Sequence, residues 1–181
     1  MKVINFFASP SVGKSTIAAG LFYKMKISSM SVELVTETAK DLVWDDIDPG
    51  EAGQDYLFGM QNRRIHRLRN KVDYVITDSP ILIPVIYRPI DYPRSFDTFA
   101  LDMFDTYTNI NFLLTRDLDN HFETKGRVHN KAESLLIQNR IINFLEFHRI
   151  KFNKIDLTND INMNKNNVSE VLNIINDNRN V

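Results

Sequence analysis

Residues 8–16 read Ala-Ser-Pro-Ser-Val-Gly-Lys-Ser-Thr and follow directly on an apolar run, residues 3–7. No other stretch limits the possible folds so sharply. A loop that cradles nucleotide phosphate has the pattern Gly, four residues, then Gly-Lys-Ser/Thr. Gly13, Lys14 and Ser15 meet it, and Ala8 stands where the first glycine is expected. At Gly13 the absence of a side chain lets backbone N–H groups turn inward around phosphate oxygens. Lys14 places a flexible point charge on the β- and γ-phosphates, and the Ser15 hydroxyl is a ligand for Mg²⁺. Ile17, Leu21, Phe22 and Met25 give the next segment helical spacing, so a helix N-terminus faces the anion. Ala8 closes the strand, where extended backbone does not require glycine.

The rest of the chain reads as alternating strands and helices. Strands are expected at 2–7, 31–36, 72–77, 110–115 and 151–157. Helices are expected at 13–28, 54–71, 132–149 and 168–175. A further helix runs through Phe96, Phe99, Ala100, Met103, Phe104 and Tyr107. Residues 44–53 carry loop chemistry, and Pro84, Pro89 and Pro93 make the stretch after residue 80 irregular. This alternation predicts an α/β fold with a parallel sheet and helices on both faces. All 181 residues fit one domain with a full core, with a basic lid at about 116–130 and an Asn-rich C-terminal helix at about 160–178.

Composition narrows the function. The chain has no cysteine, which excludes disulfides and thiolate metal sites. No apolar run is long enough to span a bilayer, and no signal peptide is visible, so a cytoplasmic location without membrane partners is expected. A net charge of −1 supplies no global field toward nucleic acid. The four histidines, His66, His121, His129 and His148, lack metal-ligand spacing.

Further chemical positions collect around the expected strand ends. Asp78 follows the third strand, where an acidic residue either holds Mg²⁺ or caps the next helix. Glu37 ends the second strand; it is either a base for an acceptor hydroxyl or a solvated glutamate at a helix start. Gln54 and Gln61 share the inward face of one helix with Leu57, Phe58, Ile65 and Leu68. A buried amide there reads a nucleobase edge or bonds a neighbouring loop. The same helix carries Arg63, Arg64, His66, Arg67, Arg69 and Lys71, either a solvated face or a phosphate-gripping patch. Of these, Arg64 is best placed to reach a cleft. Arg88 and Arg94, with Tyr87 and Tyr92, form an acceptor wall or pack beside a turn. Arg116 and Lys125-Gly126-Arg127 suit a mobile basic lid closing over a triphosphate.

The run Ser9-Pro10-Ser11-Val12-Gly13-Lys14-Ser15-Thr16, the Glu37 site, the 54–64 helix, Thr77-Asp78-Ser79-Pro80 and Lys125-Gly126-Arg127 together resemble small phage and bacterial P-loop kinases. These belong with the nicotinamide riboside kinase-like ATPases. Their phage members include DNA kinases that phosphorylate 5-hydroxymethyluracil bases. The most distinctive match to that branch is the 32–37 segment followed by 39–44; Ala8 and Ser9 depart from the glycines often found there. The resemblance implies a P-loop NTPase fold of nucleotide-kinase type, strand order 2-3-1-4-5, with ATP and Mg²⁺ as cofactors. It implies that Ser9, Ser11, Val12, Gly13, Lys14, Ser15 and Thr16 hold ATP, and that Ser15 and Asp78 hold Mg²⁺. Glu37 is the implied base, and Arg116 and Arg127 stabilise the transition state. Gln54, Gln61, Arg64 and Arg88 are the acceptor contacts. The expected activity is phosphoryl transfer to a nucleoside-like hydroxyl, preferentially a modified base in phage DNA, which would place the protein in the host cytoplasm. A free nucleoside or nucleotide is the alternative acceptor. A non-catalytic nucleotide-binding regulator, such as an anti-defence protein, is the alternative of another class.

Overall fold

The computed structural model describes residues 1–116, 131–157 and 161–177, with side chains described at 1–116, 132–157 and 166–177. In chain order the elements are β1 (Lys2–Phe7), α1 (Lys14–Ile27), β2 (Val32–Val35), α2 (Thr38–Trp44), α3 (Gln54–His66) and β3 (Tyr74–Thr77). They continue with α4 (Ile83–Tyr87), α5 (Arg94–Asp105), β4 (Thr108–Arg116), α6 (Lys131–Phe147), β5 (Asn153–Leu157) and α7 (Ile161–Asp177). The five strands form one sheet of order β2-β3-β1-β4-β5. Every neighbouring pair is parallel, the order that the resemblance implied.

Side chains alternate across this sheet, and each face is covered. Ile4, Phe6, Ile76, Phe112 and Leu114 pack on one face against Ile17 and Leu21 of α1 and Val171 and Ile175 of α7. Val3, Phe7, Val75 and Leu113 pack on the other against residues of α3, α4, α5 and α6. A strand buried on both sides has no polar face to show, which is why 3–7 reads as an unbroken apolar run apart from Asn5.

Three departures from the expected elements have local causes. The seven-residue helix α2 is too short for its periodicity to show in the sequence. Inside the proline-rich stretch, α4 forms because Pro84 sits in its first turn, where no N–H is needed. α3 ends at His66 rather than near residue 71, because tight i→i−3 bonds follow and Asn70 turns into the left-handed region at φ 60°. α7, Ile161–Asp177, opens on a run of polar residues ahead of its apolar spacing.

Asn5 is the polar exception within β1, and it is buried. Its Nδ2 donates to Asn109 Oδ1 at 2.9 Å and to Asn111 Oδ1 at 3.0 Å on β4. Asn111 Nδ2 in turn donates to the Lys151 carbonyl at 3.0 Å, and Asn109 Nδ2 to the Phe104 carbonyl at 2.7 Å. This amide ladder ties the β1–β4 register to the chain entering β5. An acceptor left without its donor in such a place costs about 1–3 kcal/mol. Asn5→Leu is therefore expected to lower unfolding free energy by at least that amount, despite adding apolar volume. Urea unfolding followed by circular dichroism checks this; an equally or more stable variant would remove the ladder from the account.

Candidate active site

The parallel pairing of β1 with β3 sets Asn5 beside Thr77. The loop leaving β1 and Asp78 leaving β3 therefore emerge at the same carboxyl edge, where open α/β sheets bind ligands. β2 pairs with β3 on its other side, with Val35 beside Thr77. That pairing is the condition under which Glu37 reaches this edge.

The phosphate loop takes the shape its composition allows. Ser11 lies at φ 67° and Gly13 at φ 111°, so the left-handed positions fall there and not at Ala8. Val12 sends its side chain into the core. Lys14 Nζ lies back across the loop, donating to the carbonyls of Ala8 at 2.9 Å and Ser9 at 3.2 Å. Thr16 is exposed in the first turn of α1. A side chain added at Gly13 would meet Arg116 Nη1 at 3.9 Å, so the guanidinium at the end of β4 flanks the loop. Ser9 N–H is already committed, donating to Gln138 Oε1 of α6 at 3.0 Å. Nothing in the sequence signals that Gln138 supports this loop.

Ser15 Oγ donates to Asp78 Oδ2 at 2.5 Å. Asp78 is 4% exposed, and its Oδ1 has no hydrogen-bond partner among the described residues. A buried carboxylate oxygen left without a donor needs a cation or water. The donor set is oxygen only, which suits a hard divalent ion held mainly by nucleotide phosphates. The residues fit Mg²⁺.

A cleft of about 440 Å³ opens from Lys14, Ser15 and Asp78. Gln54, Leu57 and Gln61 of α3 line it, as do Glu37–Lys40, Val43 and Trp44 on one side and Ile83, Pro84 and Tyr87 on the other. Trp44 is 67% exposed, an indole presented to solvent beside the cavity. Burial, reinforced by the Glu37 carboxylate and opposed by Arg140, pushes the Tyr87 phenol above its usual range. No motif gives Trp44 a role; a lone tryptophan beside an Asp- and Gly-rich loop is the signal that marks it.

The four expected acceptor contacts separate here. Gln54 is buried and lines the cleft. Gln61 also lines it, but both ends of its amide bond protein groups, which is the neighbouring-loop use of the two left open. Its Oε1 accepts from Thr38 N–H at 3.1 Å and Thr38 Oγ1 at 2.8 Å. Its Nε2 donates to the Thr36 carbonyl at 3.3 Å and to Thr77 Oγ1 at 3.1 Å. Arg64 does not line the cleft. It pairs with Asp41 of α2 at 2.5 Å and donates to the Thr36 carbonyl at 3.3 Å. Arg88 is held in a two-pronged pair with Asp97 of α5, with Nε to Oδ1 and Nη2 to Oδ2 both at 2.5 Å. Both guanidinium groups are thus paired with aspartates, the charge-assisted contact that a guanidinium fork favours. Arg69 is spent similarly on Thr106 and the face of Tyr107. Arg127 and the rest of the expected lid at 117–130 lie outside the described residues.

The family model AAA_28, an AAA domain, matches residues 3–162. Deoxyadenosine kinase from M. mycoides with products dCMP and dCDP bound is similar in structure, with a TM-score of 0.59 and 16% sequence identity, covering 98% of this chain and 100% of that one. The same enzyme with bound dATP gives a TM-score of 0.57 at 16% identity, covering 97% and 100%. The NadR protein in complex with NAD and AMP-PNP gives 0.60 at 15% identity, covering 94% of this chain and 48% of that one. No curated protein matches the sequence. At these identities the neighbours establish the fold alone, an α/β P-loop nucleotide-kinase fold. No helix among the described residues is long and apolar enough to cross a membrane. The family match spans most of the chain, and the protein belongs to the AAA domain family AAA_28.

Proposed function

We propose that this protein is an ATP-dependent phosphotransferase acting on a hydroxyl of a nucleoside-like acceptor. One observation carries the reading. The phosphate loop, the Ser15–Asp78 pair and the Glu37 carboxylate all face one cleft. Lys14 would shift from the loop carbonyls to the β- and γ-phosphates as ATP enters. Ser15 and Asp78 would hold Mg²⁺, which neutralises phosphate charge when bound. Arg116, beside the loop, would meet charge developing on the transferring group. Glu37 would take the proton of the acceptor hydroxyl as the new P–O bond forms, and ADP would leave. Gln54 would face the acceptor's base from the cleft wall, with Tyr87 as a hydrogen-bond donor and Trp44 as a stacking surface.

Two classes of acceptor follow, a free nucleoside or nucleotide and a modified base such as 5-hydroxymethyluracil in phage DNA. A DNA acceptor requires cations free to grip the backbone and a base taken out of the stack. Arg64, the arginine expected to reach the cleft, is paired with Asp41, and Arg88 of the expected acceptor wall with Asp97, while Arg63 and Arg67 stay exposed. This favours the free acceptor. Incubation with radiolabelled ATP and a panel of nucleosides, nucleotides and modified DNA decides it. Label on a free nucleoside or nucleotide is the expected result, and label on DNA alone would reverse the preference. ATP binding without transfer to any member would instead support a nucleotide-binding regulator.

Two substitutions probe the machinery on the labelled acceptor. Lys14→Ala should abolish transfer while circular dichroism shows an intact fold; full activity in the folded variant would end the kinase reading. Glu37→Gln should lower kcat by ~10²–10⁴, the usual worth of general-base help, and change ATP binding far less. An unchanged kcat would remove Glu37 from the mechanism and leave Asp78 as the base.

A further inference from the structure

We infer that Gln61 is a positioning residue that holds the Glu37 turn in register with the Asp78 turn, through Thr38 and Thr77. This rests on the proposed role of Glu37 as base. Gln61 is 2% exposed and has four hydrogen-bonding positions on its amide, all filled. Their placement is the informative part. Oε1 accepts from Thr38 N–H and Nε2 donates to the Thr36 carbonyl, so the amide grips the chain on both sides of Glu37. The same Nε2 donates to Thr77 Oγ1, directly before Asp78.

Thr77 Oγ1 is saturated in its turn. It accepts from Ser79 N–H and donates to the Ser79 carbonyl, both at 3.1 Å, bracketing Asp78. The orientation of the Gln61 amide is not interchangeable, because an N–H must meet an acceptor and a carbonyl must meet a donor. One side chain on α3 therefore spans the candidate base and the candidate metal ligand, which follow neighbouring strands. Arg64, one turn along α3, adds a second bond to the Thr36 carbonyl and ties down α2 through Asp41. Transfer needs the acceptor hydroxyl within reach of Glu37 while the triphosphate sits at Ser15 and Asp78. A brace between those turns would set that separation, and small misplacements of this kind are costly to the chemical step.

Gln61→Met tests the brace by keeping length and burial while removing every hydrogen bond. With the acceptor that wild type labels, kcat should fall about 10–100-fold, as expected for misplaced reacting groups. Affinity for a non-hydrolysable ATP analogue should change by less than about threefold, because the phosphate loop is untouched. The second readout needs no activity. Amide exchange at Thr38, followed by NMR, should quicken by about tenfold or more while the β3 amides Val75 and Ile76 keep their protection. Should Gln61→Met fail to fold, the Thr38 pair carries the test: Thr38→Val should lower kcat and Thr38→Ser should restore it.

An unchanged kcat in a folded Gln61→Met variant, or Thr38 protection equal to wild type, would overturn the inference. So would equal kcat in the two Thr38 variants. If wild type phosphorylates no acceptor, the proposed reaction falls, while the Thr38 exchange still reports whether Gln61 holds the turn.

Discussion

The Ser15 hydroxyl reaches across the carboxyl edge of the sheet to Asp78, and the architecture follows from the need to bring those two groups together. One follows β1 and the other follows β3. They meet because the strands are parallel and adjacent, which requires both crossover helices to return the chain to the same starting end. Burying that sheet on both faces then demands apolar strands, and the two cores meet the demand. Within this frame Asp78 retains one carboxylate oxygen without a donor among the described residues, a polar cost that a bound cation would offset.

Around that pair, the polar residues of the site do two separate jobs. Lys14, Glu37, Gln54 and Tyr87 face the cleft. Gln61, Arg64, Arg88 and Gln138 hold the elements that present them. A loop edge between short strands and short helices has little apolar surface with which to fix itself. Side-chain hydrogen bonds do that work instead, and removing one partner leaves the other unpaired. The Asn5–Asn111 ladder applies the same physics between β1 and β4.

The free acceptor gains support from what the arginines do. A sequence rich in arginine along one helix invites a reading in terms of phosphate, and the charge count alone cannot distinguish a gripping face from a clamped one. Asp41, Asp97 and Thr106 lie 23, 9 and 37 residues from the arginines they hold. Only the folded chain brings them close. Arg63 on α3 and Arg67 just past its end remain exposed.

By itself the sequence determined the phosphate loop, the parallel α/β class and the residues whose roles depend on chain neighbours. Gly13, Lys14 and Ser15 are three consecutive residues, and the apolar run before them is a strand wherever it packs. The separation of the two glutamines was decided by tertiary structure. Gln54 and Gln61 share a helix face and look alike in the chain, yet one ends in open cleft and the other against Thr36, Thr38 and Thr77. Arg64 and Arg88 became clamps for the same reason, and α2 formed between β2 and α3 without a pattern long enough to announce it. Helical periodicity tells which way a side chain points. Which donor or acceptor waits there depends on strands and loops distant in sequence, and that is fixed only when the sheet assembles.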